Sequence, residues 1–347
     1  MINLYALTLA ELSDLLAEHG EPGFRSWQIW DWLYEKRVDS FEAMTNLPRP
    51  TRIKLSETAR LGELEMAAGR QSRDGTEKRL YRLADGQLIE SVLMPYDDNR
   101  QTACISSQAG CALGCVFCAT GQMGFGRHLS ATEIFEQALI FARDLAARGE
   151  RLSNVVFMGM GEPFHNYDAS LAAVDMLMSR LGIGARHITI STVGLVPQIR
   201  RFADEGLQVK LAVSLHKADD SERSALLPVN RRWPIAELMD ACRYYVERTK
   251  RRITFEWAAI AGENDTVAEA TRLGRLLAGL HCHVNIIPLN PTGGYSGAPA
   301  PAPELERFLA ALRQYGVNAT VRVRRGIDIE AGCGQLKSAV LDADKNG

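Results

Sequence analysis

The stretch CISSQAGCALGCVFCATG, residues 104–121, decides the fold class because it places three cysteines in a C-x3-C-x2-C pattern directly after a short apolar strand. Thiolates of Cys111, Cys115 and Cys118 can bind three irons of a cubane 4Fe-4S cluster, which normally takes four cysteines. One iron then keeps an open position, which is where a metal centre does chemistry. A structural zinc knuckle is the alternative, but the nearest histidine, His128, lies ten residues further on and no second cysteine pair follows.

Outward from this stretch, short apolar strands alternate with amphipathic helices over residues 97–330. Repeated β-then-α units predict an α/β fold with a parallel sheet and right-handed crossovers. Six or so units fit a partial (β/α)6 barrel, whose site is expected at the C-terminal ends of the strands. The predicted strands are TACISS, NVVFMGM, HITIST, VKLAVSL, ITFEWAA, HVNIIPL and ATVRV.

The chain before the barrel is predicted to contain a small helical domain and a hairpin. Leucines recur at helical spacing from residue 9 to residue 16, and an aromatic-rich second segment follows them. Asp85-Gly86, between two apolar runs, is a strong hairpin turn signal. The predicted parts are a helical N-terminal accessory domain at 1–75, a hairpin linker at 76–96, the barrel at 97–330 and a C-terminal segment at 331–347.

Bulk composition supports a folded chain but does not indicate a polyanion partner. The 347 residues are 46% hydrophobic and 24% charged, which permits a large core and argues against general disorder. The net charge of −2 gives no global positive field, so RNA binding would have to rely on local patches. The N-terminus lacks the basic start of a signal peptide, and no apolar run reaches the roughly 20 residues that span a bilayer. We therefore expect a cytoplasmic protein with no membrane partner.

Glycines and polar residues follow several predicted strands, where a barrel places its site. Taken singly, each is more typical of a helix cap or a structural residue, but together with the cysteine triplet they resemble the radical S-adenosylmethionine (SAM) superfamily. In that superfamily SAM chelates the open iron and is cleaved by reduction. The resemblance implies that Gly161 and Glu162 contact the methionine end of SAM, while hydroxyls and an amide at other strand ends hold the rest of the molecule. Glu256, inside ITFEWAA, ends no strand clearly and is left out. The candidate SAM-binding residues are Gly161, Glu162, Ser191, Ser214, Leu215, His216 and Asn290.

A closer resemblance rests on seven motifs in order: CISSQAGCALGCVFCATGQMGF, FMGMGEP, ISTVG, SLH, LPVN, IPLNP and GIDIEAGCGQL. These motifs, spread over nearly the whole chain, resemble the RlmN family of adenine-C2 RNA methyltransferases. The resemblance implies methylation of an adenosine in 23S rRNA and of the adenosine 3′ of the anticodon in tRNA. It also implies an RNA-binding role for the accessory domain, one 4Fe-4S cluster, two SAM molecules per turnover, an electron donor such as flavodoxin or ferredoxin, and a monomeric enzyme.

Two separated cysteines acquire roles through this resemblance. Cys333 is implied to accept a methyl group from SAM and to carry its carbon to adenine. Cys104 is implied to form a transient disulfide with Cys333 that frees the product, and Glu90 to accept a proton. From the residues alone, both cysteines could equally be small buried hydrophobes, and Glu90 could be a surface carboxylate of the hairpin.

RNA contacts are predicted only in outline. The segment from Arg25 to Lys54 has an excess of basic residues beside three tryptophans, which we expect to lie mainly in the core. Arg322, Arg324 and Arg325 precede the Cys333 loop and could hold the RNA backbone near the target base. Four further residues are interpreted as structural, namely Cys242, Cys282, His281 and His283.

Three alternatives remain open on sequence. A sister enzyme that methylates C8 of the same rRNA adenosine would share the cluster and both thiols, although Pro163 and the GQMGF stretch favour the C2 enzyme. A radical activase acting on a partner protein would not need Cys333. An iron-sulfur or zinc RNA-binding module would have no catalytic activity.

Overall fold

The computed structural model describes residues 1–337, so residues 338–347 of the predicted C-terminal segment lie outside the described part. The α/β fold class is confirmed, and the N-terminal region is helical. Within the described residues no helix is both long and apolar enough to cross a membrane.

The N-terminal region contains three α-helices. Each of them begins at a clear start signal or buries an apolar face. Thr8 and Glu11 form a reciprocal capping box at the first helix, and Pro50 occupies the first turn of the third. Two short strands at the ends of this region pair in parallel and bring its termini together. The elements are β1 (Ile2–Asn3), α1 (Leu9–Glu18), α2 (Phe24–Trp30), which continues as a π-helical turn (Asp31–Glu35), α3 (Arg49–Thr58) and β2 (Ala59–Arg60).

The tryptophans of α2 and the following turn do not all lie in the core. Trp27 is 65% exposed, so the expectation of a core position is wrong for this residue. The reason is helical geometry: Ser26 and Ile29 occupy the buried face of α2, and Trp27 points away from it. Trp30 is half-buried, and its ring packs edge-on against Tyr34 at 4.6 Å.

Three antiparallel strands join the helical region to the barrel. The predicted hairpin is present: β4 and β5 pair across the Asp85-Gly86 turn. The prediction that helical structure extends to residue 75 is wrong, because Glu65–Gln71 is a strand. This segment is mostly exposed and has no apolar alternation that would predict a strand. It is a strand because its backbone pairs with the neighbouring strand. The strands are β3 (Glu65–Gln71), β4 (Glu77–Arg82) and β5 (Leu88–Pro95).

Parallel strands continue the same sheet. The remaining strands are β6 (Gln101–Cys104), β7 (Gln108–Gly110), β8 (Phe125–His128), β9 (Asn154–Phe157), β10 (Ile188–Thr192), β11 (Lys210–Ser214), β12 (Ile253–Ala259), β13 (Cys282–Pro288) and β14 (Ala319–Val321). The strand order of the large sheet, as far as it is described, is β14-β13-β12-β11-β10-β9-β6-β5-β4-β3. Within this sheet, β6 and β9 to β14 run parallel to one another. Strands β7 and β8 form a separate antiparallel pair. The parallel strands are largely buried because helices pack against the sheet.

The barrel helices follow the strands and bury their apolar faces. The longest begins at a capping box formed by Ser130 and Glu133. Because every parallel strand points the same way, the loops after β6, β9, β10, β11 and β13 meet at one edge of the sheet. The helices are α4 (Ala119–Met123), α5 (Ala131–Ala147), α6 (Tyr167–Leu181), α7 (Val196–Asp204), α8 (Asp220–Leu226), α9 (Ile235–Thr249), α10 (Val267–Leu277) and α11 (Ala302–Arg313).

Candidate active site

The three cysteines predicted to bind the cluster lie in the loop between β7 and α4, which backbone hydrogen bonds hold in place. Cys111 N donates to Gly124 O (2.8 Å), and Cys118 N donates to Cys115 O (3.2 Å). Ala119 N donates to Gly334 O (2.7 Å), so the loop also contacts the C-terminal segment. The cysteine loop is therefore fixed by partners on both sides.

The chemistry of these thiols fits a positively charged cluster. Burial raises the pKa of Cys111 to about 12 and that of Cys115 well above its ordinary value, and the neighbouring thiols raise both further. Buried sulfurs with pKa values raised in this way become stable thiolates only beside a strong cationic centre. No three potential ligands in residues 1–337 converge on a single metal ion. A cubane cluster does not require such a group, because its thiolates bind separate irons.

A cavity of about 850 Å³ lies against this loop. Six of the seven predicted SAM-binding residues line it, together with two cluster cysteines and Cys333. The predicted residues that line the cavity are Cys115, Cys118, Gly161, Glu162, Ser191, Ser214, His216, Asn290 and Cys333.

Glu162 places a buried carboxylate in the cavity wall. Its oxygens accept hydrogen bonds from Phe164 N (2.9 Å) and Val193 N (2.8 Å). Burial raises the pKa of Glu162 to about 7, although these backbone N–H groups lower it. The preceding Gly161 has φ +96°, and a Cβ there would lie 2.5 Å from Gln108 Cβ, so the turn requires glycine. A fixed carboxylate of this kind suits an ammonium group.

His216 lies at the end of β11 as a neutral hydrogen-bond donor. Burial lowers its pKa to about 3, and nearby Arg223 lowers it further. Its Nδ1 accepts a hydrogen bond from Ala258 N (2.9 Å), so the ring proton is on Nε2. Phe117, between two cluster cysteines, packs edge-on against the imidazole at 5.0 Å.

Asn290 connects the cavity to the C-terminal segment. Its Nδ2 donates to Cys333 O (3.0 Å), whereas its buried Oδ1 has no protein partner. Buried polar atoms are normally hydrogen-bonded, so an unpaired acceptor beside a cavity indicates a ligand donor. The described residues thus fit a cluster and a polar ligand with an ammonium group.

A second cavity, of about 490 Å³, lies beside the first and contains Cys104. Met158, Ile287, Asn290 and Cys333 line both cavities. The two predicted catalytic thiols therefore face one space, and both are free. Burial raises the pKa of Cys104 to about 12; the Cys333 sulfur raises it further, and Arg322 lowers it.

Arg322 is a site residue that was assigned another role from sequence. It was expected to hold RNA, but its Nη1 lies 3.7 Å from Cys333 Sγ and 3.8 Å from Met158 Sδ. Negative charge on Cys333 raises the pKa of Arg322 most, and Glu256 also raises it. Arg324 and Arg325 line the same cavity. No pattern in VRVRR distinguishes the inward arginine from the other two.

Two buried charged residues were missed. Glu256, which was left out, lines the larger cavity from β12, and its Oε2 accepts from Asn285 Nδ2 (2.9 Å). A glutamate inside an otherwise apolar strand was the available signal. Arg223 is fully buried and donates to Leu215 O (3.1 Å), Val193 O (2.8 Å) and Ser214 O (2.9 Å). It therefore joins the ends of β10 and β11, and nothing in its helix marked it.

Leu215 and Glu90 do not line either cavity. The Leu215 side chain is in the core, and its peptide N and O bond to Glu256 O and Arg223. Glu90 is buried, not on the surface, and forms an ion pair with Lys78 (3.2 Å). Burial raises the pKa of Glu90, and Lys78 opposes that shift. Its Oε2 accepts from Lys337 N (3.0 Å), which places it beside the C-terminal segment.

Family models match two parts of the chain. One described as "Radical SAM superfamily" matches residues 105–274. Another, described as "Ribosomal RNA large subunit methyltransferase N-terminal domain", matches residues 2–61.

Individual relatives match nearly the whole chain. A Myxococcus xanthus protein named "Dual-specificity RNA methyltransferase RlmN 1" is 54% identical over 97% of this chain and 95% of its own length. A Heliobacterium modesticaldum protein named "Probable dual-specificity RNA methyltransferase RlmN" is 48% identical over 97% and 90%, respectively. The crystal structure of a radical SAM methyltransferase from Sphaerobacter thermophilus superposes with a TM-score of 0.93 at 50% identity, covering 98% of this chain and 100% of that chain.

Proposed function

The chain belongs to the RlmN family of radical SAM RNA methyltransferases, and on that premise we propose that it methylates adenine C2 in 23S rRNA and in tRNA, there at the adenosine 3′ of the anticodon. The observation that carries the proposal is the position of Cys333. It lies in the wall between the cavity of the cluster cysteines and the cavity of Cys104. A methyl carrier needs access to both a SAM site and a second thiol.

The larger cavity would hold SAM. Cys111, Cys115 and Cys118 would bind the 4Fe-4S cluster, which supplies the electron for reductive cleavage of SAM. The Glu162 carboxylate would pair with the ammonium group of SAM, and the unpaired Asn290 Oδ1 would accept a hydrogen bond from the same ammonium group. Nε2–H of His216 and the hydroxyls of Ser191 and Ser214 would orient the remaining polar groups. The same cavity would receive two SAM molecules in turn during one turnover.

Cys333 would first accept a methyl group. Its thiolate forms a bond to the methyl carbon of one SAM, and S-adenosylhomocysteine leaves with the electron pair of the broken bond. Arg322 stabilises negative charge on Cys333 Sγ from 3.7 Å. A second SAM, held by the same residues, would supply the radical chemistry that removes a hydrogen atom from this S-methyl group, so that its carbon can bond to adenine C2.

Cys104 would release the product. Its thiolate attacks Cys333 Sγ and forms a disulfide as the bond from sulfur to the transferred carbon breaks. The electron pair of that bond passes to the transferred carbon, which takes up a proton to become the methyl group, and an external reductant later restores both thiols. Burial raises the pKa of Cys104, whereas Arg322 lowers it and so favours the attacking thiolate.

Glu90 is proposed as the proton acceptor because of sheet register. Val92 on β5 lies opposite Cys104 on β6, and Glu90 precedes Val92 by two positions on the same face. Such diagonal neighbours are about 7–8 Å apart, which a glutamate side chain can partly span. A thiol with a pKa of about 12 needs a nearby base to ionise at neutral pH.

The test is anaerobic incubation of the reconstituted, reduced protein with methyl-labelled SAM and unmodified 23S rRNA fragment or tRNA, followed by nucleoside analysis. We expect 2-methyladenosine and 5′-deoxyadenosine. A label on C8 would identify the sister activity. Deoxyadenosine without labelled RNA would indicate an activase, and neither product would indicate a binding module.

The remaining assignments follow from family membership. We propose that residues 1–75 bind RNA, that a flavodoxin or ferredoxin donates electrons, and that the enzyme is a cytoplasmic monomer. Light scattering measures the oligomeric state, and replacing a chemical reductant with each protein donor tests the electron source.

A further inference from the structure

Three exposed rings form a cluster on the outer side of the cysteine loop. Phe125 and His128 lie on β8, and His165 follows Glu162 by three positions. The Phe125 ring centroid is 5.2 Å from that of His128 and 5.8 Å from that of His165, and the two imidazoles are 5.0 Å apart. Phe125 is 42% exposed, and both histidines are also exposed. We call these three residues the aromatic surface.

The side-chain amide of the fully buried Gln108 forms hydrogen bonds with both imidazoles. Its Oε1 accepts from Glu162 N (2.8 Å), and because a peptide nitrogen only donates, the amide orientation is fixed. Gln108 Nε2 therefore donates to Nδ1 of His128 (3.0 Å) and of His165 (3.2 Å). Each neutral ring then carries its proton on Nε2, the nitrogen that Gln108 does not occupy.

The cation on the same strand is already paired. Arg127 forms ion pairs with Asp85 and with Glu133 (2.7 Å to the latter). The aromatic surface thus offers ring faces and two Nε2–H donors, and the neighbouring cation has its charge compensated. Phosphate recognition requires free cations, whereas unstacked bases bind aromatic and histidine rings by stacking and hydrogen bonding.

We propose that the aromatic surface stacks an unpaired nucleobase that flanks the target adenosine, with Phe125 as the main platform. This inference rests on the proposed function, because it assumes an RNA substrate. Continuity with the site supports it. Gly124 O accepts from Cys111 N (2.8 Å), and Gln108 is shared with the Glu162 turn. A nucleotide on this surface is therefore held one layer of residues away from the cluster loop and the SAM cavity.

The test compares variants of the full-length, cluster-loaded protein in anaerobic binding to a fluorescent RNA hairpin that contains the target adenosine. Phe125→Ala and Phe125→Leu should each weaken binding by about tenfold or more, because both remove the π face. Phe125→Trp should bind within about threefold of the unmodified chain. Val267→Ala, at a residue 50% exposed on α10, is the matched control and should not change the affinity. The affinity for SAM should be unchanged in all four variants.

The outcomes separate this inference from its rivals. Unchanged RNA affinity in Phe125→Ala overturns it, and retained affinity in Phe125→Leu alone overturns stacking in favour of general apolar contact. A variant with normal RNA affinity that turns over slowly with flavodoxin but normally with dithionite would assign the surface to the electron donor and also overturn the proposal. If the unmodified protein itself neither binds nor methylates RNA, the proposed function fails instead.

Discussion

Cys104 and Cys333 form one pair of cysteines and Cys242 and Cys282 another, and only the first pair has the surroundings that a reactive pair needs. Cys242 on α9 and Cys282 on β13 are buried, and burial raises their pKa values to about 12 and about 11. Cys104 has a similarly raised pKa, of about 12. A raised thiol pKa therefore does not distinguish the proposed catalytic pair from a structural one.

The two pairs differ in whether their sulfurs line a cavity and in whether a cation lies beside them. Cys104 and Cys333 line a cavity that adjoins the cavity proposed to hold SAM, and Arg322 lies 3.7 Å from Cys333 Sγ. Neither Cys242 nor Cys282 lines these two cavities. Access for a reactant and stabilisation of a charged sulfur are thus what the tertiary structure adds to the reactive pair.

Replacing the proposed methyl carrier should have the largest effect. We expect Cys333→Ala to reduce RNA methylation to background, because no other thiol among the described residues lines both cavities. Methyl incorporation from labelled SAM measures this, and Cys242→Ala, the same change in the other pair, should retain full activity. Methylation of RNA by Cys333→Ala would contradict the carrier role.

Replacing the second thiol should stop the reaction at a different stage. Without Cys104 the disulfide cannot form, so we expect Cys104→Ala to leave RNA covalently attached to Cys333 and to abolish multiple turnover. A denaturing gel followed by nuclease digestion and mass spectrometry detects the adduct. Cys282→Ala is the control. Repeated release of methylated RNA by Cys104→Ala would count against the proposed exchange.

Removing the cation should slow the first step. A hydrogen bond to a charged group contributes about 1.5–3 kcal/mol, so Arg322→Met should slow methylation of Cys333 by about 10- to 100-fold. Single-turnover mass spectrometry of the Cys333 peptide measures the rate.

A second variant separates chemistry from folding in that experiment. Arg322→Met leaves the buried Glu256 without its cationic neighbour, which also destabilises the fold. Arg322→Met combined with Glu256→Gln should recover thermal stability while Cys333 methylation stays slow. Recovery of the rate together with stability would show that Arg322 acts only through the fold.

The smallest effect is expected in the structural pair. Cys242→Ala should lower the free energy of unfolding by about 1–2 kcal/mol, because it removes a buried sulfur from a packed core. Denaturant titration measures this loss, and the rate of RNA methylation per folded molecule should not change. A large loss of activity would show that the two pairs are coupled.

The barrel, the hairpin and the cysteine loop can be predicted from the amino-acid sequence alone. Alternation of apolar strands with amphipathic helices, the Asp85-Gly86 turn and the C-x3-C-x2-C spacing are local patterns, and each depends on residues close along the chain. Strand ends of a parallel sheet meet at one edge, so six of the seven predicted SAM-binding residues could be placed around one cavity before the structure was known.

The orientation of individual side chains, by contrast, depends on contacts that form only in the tertiary structure. Arg322 points inward while Arg324 is exposed two positions later, and Trp27 is exposed although Ser26 and Ile29 of the same helix are buried. The partners of Arg322 are Cys333 and Met158, and Met158 lies 164 positions away along the chain. Contacts over such separations depend on how whole strands and loops assemble, and a local pattern carries no record of them.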